Sequence, residues 1–290
     1  MIIDAHVHLW EEQKGMVNGK PVYSMWGGRS DFGGEVRQML PPYLYDGRNK
    51  AEALIANMDY ALVSGCVVTQ EYIDGNQDEY LLKVKEKYPE RIKICSLFEE
   101  REDFKTEGFD GIKICAGRLK EKDLSVCYPV FKKAQEKGMF ISIDLADGNI
   151  QTEAMEELIK SFPDLKIAIG HFGMVTTKGW QEQIKLARYK NVYIESGGIT
   201  WLFHKEFYPY ESAIRSILMA RDICGMDKLM WGSDYPRTMT AITYLMSLDF
   251  IIKSDLITDF EKSLFLGENA MEFYGFSKVA LQDKIKNMVE

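Results

Sequence analysis

Short runs of β-branched and other apolar residues alternate with longer amphipathic stretches along the whole chain. This alternation is typical of a parallel sheet covered by helices. Eight strand–helix units are the number that closes a barrel, so we predict an α/β fold of the (β/α)₈ TIM-barrel type. The eight predicted strands are Met1–Ala5, Gly65–Thr69, Ile92–Leu97, Gly111–Cys115, Phe140–Asp144, Lys166–Ile169, Asn191–Glu195 and Lys228–Trp231.

Three amphipathic stretches exemplify the helices expected between these strands. They are Asp78–Tyr88, Val130–Lys137 and Ala154–Ser161, in which apolar positions recur at helical spacing. We expect them to pack one face on the barrel. No repeat, low-complexity segment or linker interrupts the series, so residues 1–290 are predicted to form a single domain.

Two segments are longer than barrel connections need. One runs from about Trp10 to Tyr45 and is rich in Gly, Tyr and Trp, and the other, WLFHKEFYPY, spans Trp201–Tyr210. Long ordered loops in compact domains are usually functional. Both segments follow the C-terminal ends of predicted strands, the barrel face on which active sites are built.

Composition and charge exclude several classes of function. A net charge of −8 and a pI near 5.3 argue against a surface devoted to nucleic acid or anionic membrane, while leaving room for a local basic pocket. The N-terminus has no signal-peptide pattern and no run of 18 apolar residues occurs, so neither secretion nor membrane insertion is expected. The five cysteines are widely spread without a CxxC pair, which favours reduced thiols and a cytoplasmic setting.

The first and last predicted strands carry the strongest functional pattern. His6 and His8 follow one another at two-residue spacing, and side chains two apart in an extended chain share a face. That geometry suits chelation of one ion, with hydrogen bonding as the alternative. Asp234, in MWGSDYP, is a metal ligand or general base, or else a turn or helix cap. Because the first and eighth strands adjoin in a closed barrel, we predict that the three residues share an active site.

A third histidine follows the sixth predicted strand. His171 stands between small residues in KIAIGHFG and is interpreted as a ligand or an acid/base near neutral pH, with a core histidine bonded to the backbone as the alternative. His204, in the aromatic WLFH segment, is predicted to be a loop or substrate-contact residue. Trp201 in the same segment suits a sugar ring or an aromatic acid.

Two arginines are candidates for binding an anionic substrate group. Arg118 follows the fourth strand and Arg237 the eighth, and each guanidinium can hold a carboxylate through two hydrogen bonds. A loop salt bridge is the alternative for each. Gln70, Glu71 and Glu195 are further polar candidates at the same face of the barrel.

Four motifs together resemble a known enzyme family. IIDAHVHLW, FPDLKIAIGHFG, NVYIESGG and KLMWGSDYPR look like the amidohydrolase superfamily in its amidohydrolase-related branch, and the match spans the whole chain. Within that branch, the HLW ending and the CVVTQ strand are most similar to L-fuconolactonase-like and 2-pyrone-4,6-dicarboxylate-lactonase-like hydrolases. A second related group contains decarboxylases of aromatic and unsaturated acids.

The resemblance implies a metal site. It assigns His6, His8 and Asp234 to one divalent ion, most often zinc, or to direct substrate contact where the ion has been lost. His171 corresponds to the histidine of the sixth strand. Zinc held by three protein ligands and a water is a workable catalytic site.

The fifth strand departs from the decarboxylase pattern. Those relatives take a further ligand histidine from it, whereas FISIDLADGN has none and places Asp144 or Asp147 nearby. Lys113, on the fourth strand, is a candidate for the carbamylated bridge of a two-metal site, although its GIK motif is common in single-metal relatives.

Hydrolysis of a small lactone, or of a related ester or amide, is the expected activity. Asp234 would act as the base for water and His171 would stabilise the oxyanion or position the substrate. Decarboxylation of an aromatic or unsaturated acid is the alternative, and a non-catalytic metabolite binder is a third. The expected partner is a small-molecule substrate, and the resemblance suggests a homo-oligomer.

Overall fold

The chain folds into twelve strands and ten α-helices within residues 1–100, 104–120 and 122–289, the part that this computed structural model describes. The strands are β1 (Ile2–His8), β2 (Met16–Val17), β3 (Lys20–Met25), β4 (Arg29–Phe32), β5 (Val36–Gln38), β6 (Val63–Thr69), β7 (Ile92–Leu97), β8 (Gly111–Cys115), β9 (Phe140–Asp144), β10 (Ile167–Ile169), β11 (Val192–Glu195) and β12 (Leu229–Met230). The helices are α1 (Ala51–Tyr60), α2 (Asp78–Lys87), α3 (Tyr128–Lys137), α4 (Thr152–Ser161), α5 (Gln181–Ile184), α6 (Ile199–Leu202), α7 (Glu211–Cys224), α8 (Met246–Ile252), α9 (Asp259–Ser263) and α10 (Asn269–Tyr274).

Eight parallel strands form the barrel, in the order β1-β6-β7-β8-β9-β10-β11-β12. The two ends of this sheet meet through backbone hydrogen bonds, from Ala5 to Trp231 at 2.9 Å and from His8 to Tyr235 at 2.8 Å. The predicted (β/α)₈ fold is therefore confirmed. The boundaries of the first strand are the main difference, because β1 extends to His8 rather than ending at Ala5.

Alternate side chains of the barrel strands enter two separate apolar cores. The larger core lies between the strands and the surrounding helices. The smaller core lies inside the barrel and includes Ala168 and Met230 from the strands and Phe273 and Tyr274 from α10. Helix α10 thus closes the end of the barrel at which strands begin, and the opposite end, where strands finish, is left for the site.

The segment between β1 and α1 contains a small antiparallel sheet that the sequence did not predict. Strands β2, β3, β4 and β5 pair in chain order where only a long loop was expected. We call residues 16–38 the insertion sheet. Its strands span two to six residues, too short for a clear period-2 pattern between glycine-rich turns.

The second long segment, Trp201–Tyr210, runs from the end of α6 to the start of α7. It carries no strand among the residues described, and so remains a loop, as expected. Within the described parts of the chain, no helix has both the length and the apolar character needed to cross a bilayer.

Candidate active site

An irregularity in β1 aims both histidines into the barrel mouth. The pairing of β1 with β6 shifts register between Asp4 and Val7, and such a bulge re-aims the side chains that follow it. His6 and His8 are buried, with their Nε2 atoms 3.1 Å apart. Asp234, just after β12, places Oδ1 2.9 Å from Nε2 of His8 and 3.9 Å from Nε2 of His6. The predicted trio therefore meets at one point.

Asp4 fixes the relation between β1 and the loop after β12. Its buried carboxylate accepts hydrogen bonds from the backbone of His6 at 3.1 Å, the backbone of Ser233 at 2.9 Å and the hydroxyl of Tyr244 at 2.8 Å. Burial raises the pKa of Asp4 to about 6, although these donors lower it. Asp4 thus links β1 to the residue that precedes Asp234, which holds His6 and Asp234 in register.

Glu195, at the end of β11, orients the ring of His6. Nδ1 of His6 lies 2.7 Å from Oε1 of this buried carboxylate, so the Nδ1 hydrogen is donated to Glu195 and the lone pair remains on Nε2. The backbone N–H groups of His171 and Gly197 donate to the same carboxylate at 3.2 and 2.5 Å. Burial raises the pKa of Glu195, but the hydrogen bond and charge of His6 and the charge of His171 lower it by more, so the net pKa is below its usual value.

The donor atoms of the trio suit a cation. Burial and the charge of Arg237 lower the pKa of His8 well below its usual value, so its ring is neutral near pH 7. Three acceptor atoms thus converge, namely Nε2 of His6, Nε2 of His8 and Oδ1 of Asp234. A single imidazole hydrogen cannot form hydrogen bonds to satisfy all three. Nδ1 of His8 is itself buried with no hydrogen-bond partner among the described residues. Two imidazoles and a carboxylate are ordinary ligands of zinc and similar divalent ions.

Asp234 is ionised and held on both oxygens. Trp201 donates its indole N–H to Oδ2 at 2.7 Å, while Oδ1 faces His8 and lies 3.7 Å from Arg237. Burial raises the pKa of Asp234, yet the bond from His8 and the charge of Arg237 outweigh it and lower that pKa well below its usual value. Its backbone is left-handed, with φ of 57°, as is often found for strained residues at functional sites.

His171 presents one N–H to the cleft. Its Nδ1 donates to the carbonyl of Gly197 at 2.7 Å, and its Nε2 lies 3.6 Å from Oδ2 of Asp144, too far for a hydrogen bond. Burial lowers the pKa of His171, but the charges of Asp144, Glu195 and Asp234 raise it to about 10. The imidazolium therefore carries a hydrogen on Nε2 that is available to a ligand.

Lys113 and Asp144 form a buried ion pair beside His171. Nζ of Lys113, which has no exposed surface, lies 2.6 Å from Oδ1 of Asp144. Burial lowers the pKa of Lys113, but Asp144 raises it overall, so the side chain is an ammonium. An ammonium suits this contact and a carbamate does not, because a carbamylated Lys113 would set two anions against each other.

Gly170 allows the carboxylates of the site to approach the backbone. A Cβ at this position would overlap Oδ1 of Asp144, and it would lie 2.5 Å from Oε1 of Glu195. The glycine that precedes His171 is therefore a steric requirement of the site. In the sequence it was noted only as a small neighbour of the histidine.

One cleft of about 760 Å³ opens at the C-terminal end of the barrel, and its lining includes His8, Asp144, His171, Trp201 and Asp234. A cavity of this size suits a small molecule. The walls come from the loops after β1, β6, β8, β9, β10, β11 and β12 and from the edge of the insertion sheet. The charged and aromatic residues on its walls are His8, Arg37, Glu71, Arg118, Lys122, Asp144, Asp147, His171, Trp201, Asp234 and Arg237.

Three of the four predicted substrate-binding residues lie in the lining of the cleft. Trp201, Arg118 and Arg237 line the cleft. Both arginines are already paired, Arg118 with Glu71 at 2.9 Å and Arg237 with Asp74 at 2.8 Å. The salt bridge that we gave as the alternative for each arginine is therefore present.

His204 lies outside the cleft lining. Its ring is exposed and bonded through Nδ1 to the carbonyl of Trp201 at 2.8 Å. Trp201 lies within α6 and faces the cleft, whereas His204 lies in the turn that follows the helix. His204 is therefore not placed to contact a ligand held in this cleft.

The sequence profile of the amidohydrolase family matches residues 3–276 of this chain. The chain belongs to the amidohydrolase family. It is thus a member of an enzyme superfamily of hydrolases, as the motifs predicted. No curated protein matches the chain in the corresponding search.

Solved structures of the same fold include relatives with different chemistry. A zinc-bound amidohydrolase from Burkholderia multivorans is 14% identical with a TM-score of 0.70, covering 95% of this chain and 99% of its own. An Acinetobacter baumannii protein with citric acid bound, provisionally assigned as a 2-pyrone-4,6-dicarboxylic acid hydrolase, is 18% identical with a TM-score of 0.65, covering 94% and 99%. The 5-carboxyvanillate decarboxylase of Novosphingobium aromaticivorans, with manganese, is 18% identical with a TM-score of 0.52, covering 78% and 80%. At these identities the likeness establishes the fold alone.

Sequence inspection overlooked Asp74, which belongs to the site. Asp74 is buried and bonded to Arg237, and it lies in the YIDGN turn, where Asp-Gly reads as ordinary turn chemistry. The pairing of Lys113 with Asp144 was also missed, since nothing in spacing joins residues on different strands. Glu195 was named only as a polar candidate, and because β12 separates its strand β11 from β1, strand pairing does not place it beside His6.

Proposed function

We propose that this amidohydrolase hydrolyses a small lactone, or a related ester or amide. The observation that carries the proposal is that an ionised carboxylate, Asp234, and a protonated imidazole, His171, flank His6 and His8 at one cleft. A base for water and a cationic donor for an oxyanion are the two groups that acyl hydrolysis needs.

The chain's own residues suffice to describe the proton movements. Asp234 accepts a proton from water as the water oxygen forms a bond to the carbonyl carbon. Nε2–H of His171 donates to the carbonyl oxygen, where negative charge develops. The tetrahedral intermediate then collapses with cleavage of the ring C–O bond, and Asp234 returns the proton to the leaving oxygen. Because its pKa is low, Asp234 holds the proton only briefly.

His6, His8 and Asp234 would hold a divalent ion in this scheme. Such an ion supplies Lewis acidity toward the carbonyl and lowers the pKa of water. The neighbouring trio of His6, Asp144 and His171 is also close enough for a metal site. It is less suitable, because Lys113 and the charged His171 already balance the carboxylate of Asp144.

Glu195→Gln is expected to weaken zinc binding by about 10- to 100-fold, the usual effect of losing a carboxylate behind a ligand histidine. Glutamine replaces one carboxylate oxygen with an NH₂ group, which cannot accept a hydrogen bond. That NH₂ group would face either the N–H of Gly197 or the two N–H groups of His6 and His171. Zinc titration by calorimetry measures the change. Glu71→Gln, in the same cleft, is the matched control and should bind zinc normally. Wild-type affinity in Glu195→Gln would refute this role.

A panel of sugar-acid and dicarboxylate lactones tests the proposed activity. The protein is assayed as purified, after chelation, and after addition of zinc or manganese. We expect turnover of at least one lactone, with activity reduced by the chelator and restored by one of the two metals. Activity that survives verified metal removal would keep the hydrolysis but assign His6 and His8 to the substrate.

Decarboxylation is the competing outcome of the same assay. The Novosphingobium relative catalyses this reaction, and Asp144 stands on the strand that offers a histidine in the decarboxylase pattern. Release of carbon dioxide from hydroxybenzoates, without hydrolysis of any lactone, would replace the proposed function with this one.

A further inference from the structure

One wall of the cleft comes from outside the barrel. Arg37, Gln38 and Met39, at the end of the insertion sheet, line the cleft together with residues of the barrel loops. Arg37 is the charged group that this sheet contributes to the lining. The sheet therefore contributes a cation to the cleft that His8, His171 and Asp234 also line.

The strand register turns Arg37 toward the barrel. Arg37 on β5 pairs with Ser30 on β4, and residues that face one another across antiparallel strands lie on the same side of the sheet. Ser30 is buried, and its hydroxyl donates to Oε1 of Gln13 at 2.6 Å. The side of the sheet that carries Arg37 is thus the side that packs on the body of the protein.

A chain of polar contacts connects this sheet to the catalytic carboxylate. Gln13, which accepts from Ser30, donates through Nε2 to Asp74 at 3.1 Å, and Asp74 accepts from Arg237 at 2.8 Å. Arg237 in turn lies 3.7 Å from Asp234. The insertion sheet is consequently held in a defined position relative to the reacting groups.

Arg37 differs from the two arginines of the barrel loops in its partner. Arg237 is bound to buried Asp74, and Arg118 is bound to Glu71 of the cleft wall. Arg37 pairs with Glu35 through Nε at 2.9 Å and through Nη2 at 3.0 Å, but their side chains are 55% and 67% exposed, and Glu35 is not part of the cleft lining. Because solvent screens an ion pair this exposed, a ligand carboxylate in the cleft can compete with Glu35 for the guanidinium.

We propose that Arg37 makes the insertion sheet the substrate-selecting wall, by binding a carboxylate of the substrate away from the reacting carbonyl. The inference rests on the proposed lactone hydrolysis and narrows its substrates to those that carry an anionic group. The guanidinium of Arg37 can form two parallel hydrogen bonds to that carboxylate. It lies 5.1 Å from the centre of the Phe32 ring.

The experiment compares two δ-lactones that differ only in a ring carboxylate or a methyl group. Arg37→Gln is expected to raise KM for the carboxylated lactone about 10- to 100-fold, with kcat nearly unchanged, because a hydrogen-bonded ion pair is lost. Its kinetics with the methyl lactone should match the wild type. Arg37→Lys should recover part of the loss. Arg29→Gln, an exposed arginine of β4 outside the cleft lining, is the matched control.

Equal effects of Arg37→Gln on both lactones, or an equal effect of Arg29→Gln, would overturn the inference. If the wild type hydrolyses neither lactone, calorimetry with glutarate decides the role of Arg37 independently of the proposed hydrolysis, which the lactone panel tests. Weaker glutarate binding in Arg37→Gln than in the wild type and Arg29→Gln would sustain the anion subsite. Equal affinities, or no binding by the wild type, would refute it.

Discussion

Asp234→Asn should lower kcat for a hydrolysed lactone by about 10³-fold while leaving the protein folded. Asparagine is nearly the same size and can still accept the indole N–H of Trp201, but it cannot take a proton from water. It also presents either an amide oxygen or an NH₂ group to His8, without the negative charge. Steady-state kinetics on the best lactone of the panel measures the loss, and circular dichroism checks the fold.

Asp147→Asn is the matched control for this variant. Asp147 is an exposed carboxylate on the wall of the same cleft, outside the polar contacts that hold Asp234, and its variant should keep near-normal turnover. Metal content is measured beside the kinetics. Full zinc with lost turnover assigns Asp234 as the base, and loss of both assigns it as a metal ligand. Near-normal activity in Asp234→Asn would refute the mechanism.

The convergence of the candidate site residues could be predicted because the barrel fixes it. A strand period of two places His6 and His8 on one side, and barrel closure brings Asp234 to them. Since active-site loops follow the C-terminal ends of the strands, His171 joins the same mouth. None of these steps needs a side-chain rotamer, which is why sequence alone could bring the motifs together. The bulge in β1 that re-aims His6 was not visible, and the single-domain organisation stays a prediction.

Charge pairing could not be predicted in the same way. The candidate anion-binding arginines, Arg118 and Arg237, carry partners contributed by a different loop, and a sequence offers many acidic residues for each. Asp74 is 163 positions from Arg237, so only the folded chain selects it. The insertion sheet escaped prediction because its strands span only two to six residues, too few for a clear alternating pattern.

Lys113→Met should destabilise the protein by about 3–5 kcal/mol at neutral pH, because it leaves a carboxylate largely buried without its cation. Lys113 is fully buried and lies 2.6 Å from Asp144, whose other cationic neighbour, His171, is 3.6 Å away. Methionine keeps most of the volume, so the lost charge dominates. Denaturant unfolding measures the change. Lys93→Met, which removes a partly exposed pair with Asp110, should cost only about 0–1 kcal/mol.

The pH dependence separates this charge effect from a packing defect. Burial raises the pKa of Asp144, but Lys113 and His171 reverse this and hold it well below the ordinary value of 3.8. A lowered pKa stabilises the folded wild type above pH 3.8, and this stabilisation is lost as pH falls through the folded-state pKa. Lys113→Met lacks most of it, so its deficit should be full at pH 7 and should shrink below about pH 4. A deficit equal at both pH values would mean lost packing.

The double variant Lys113→Met/Asp144→Asn should recover much of the stability at pH 7, since it leaves no unpaired charge. Failure to recover would contradict the stabilising role of the ion pair.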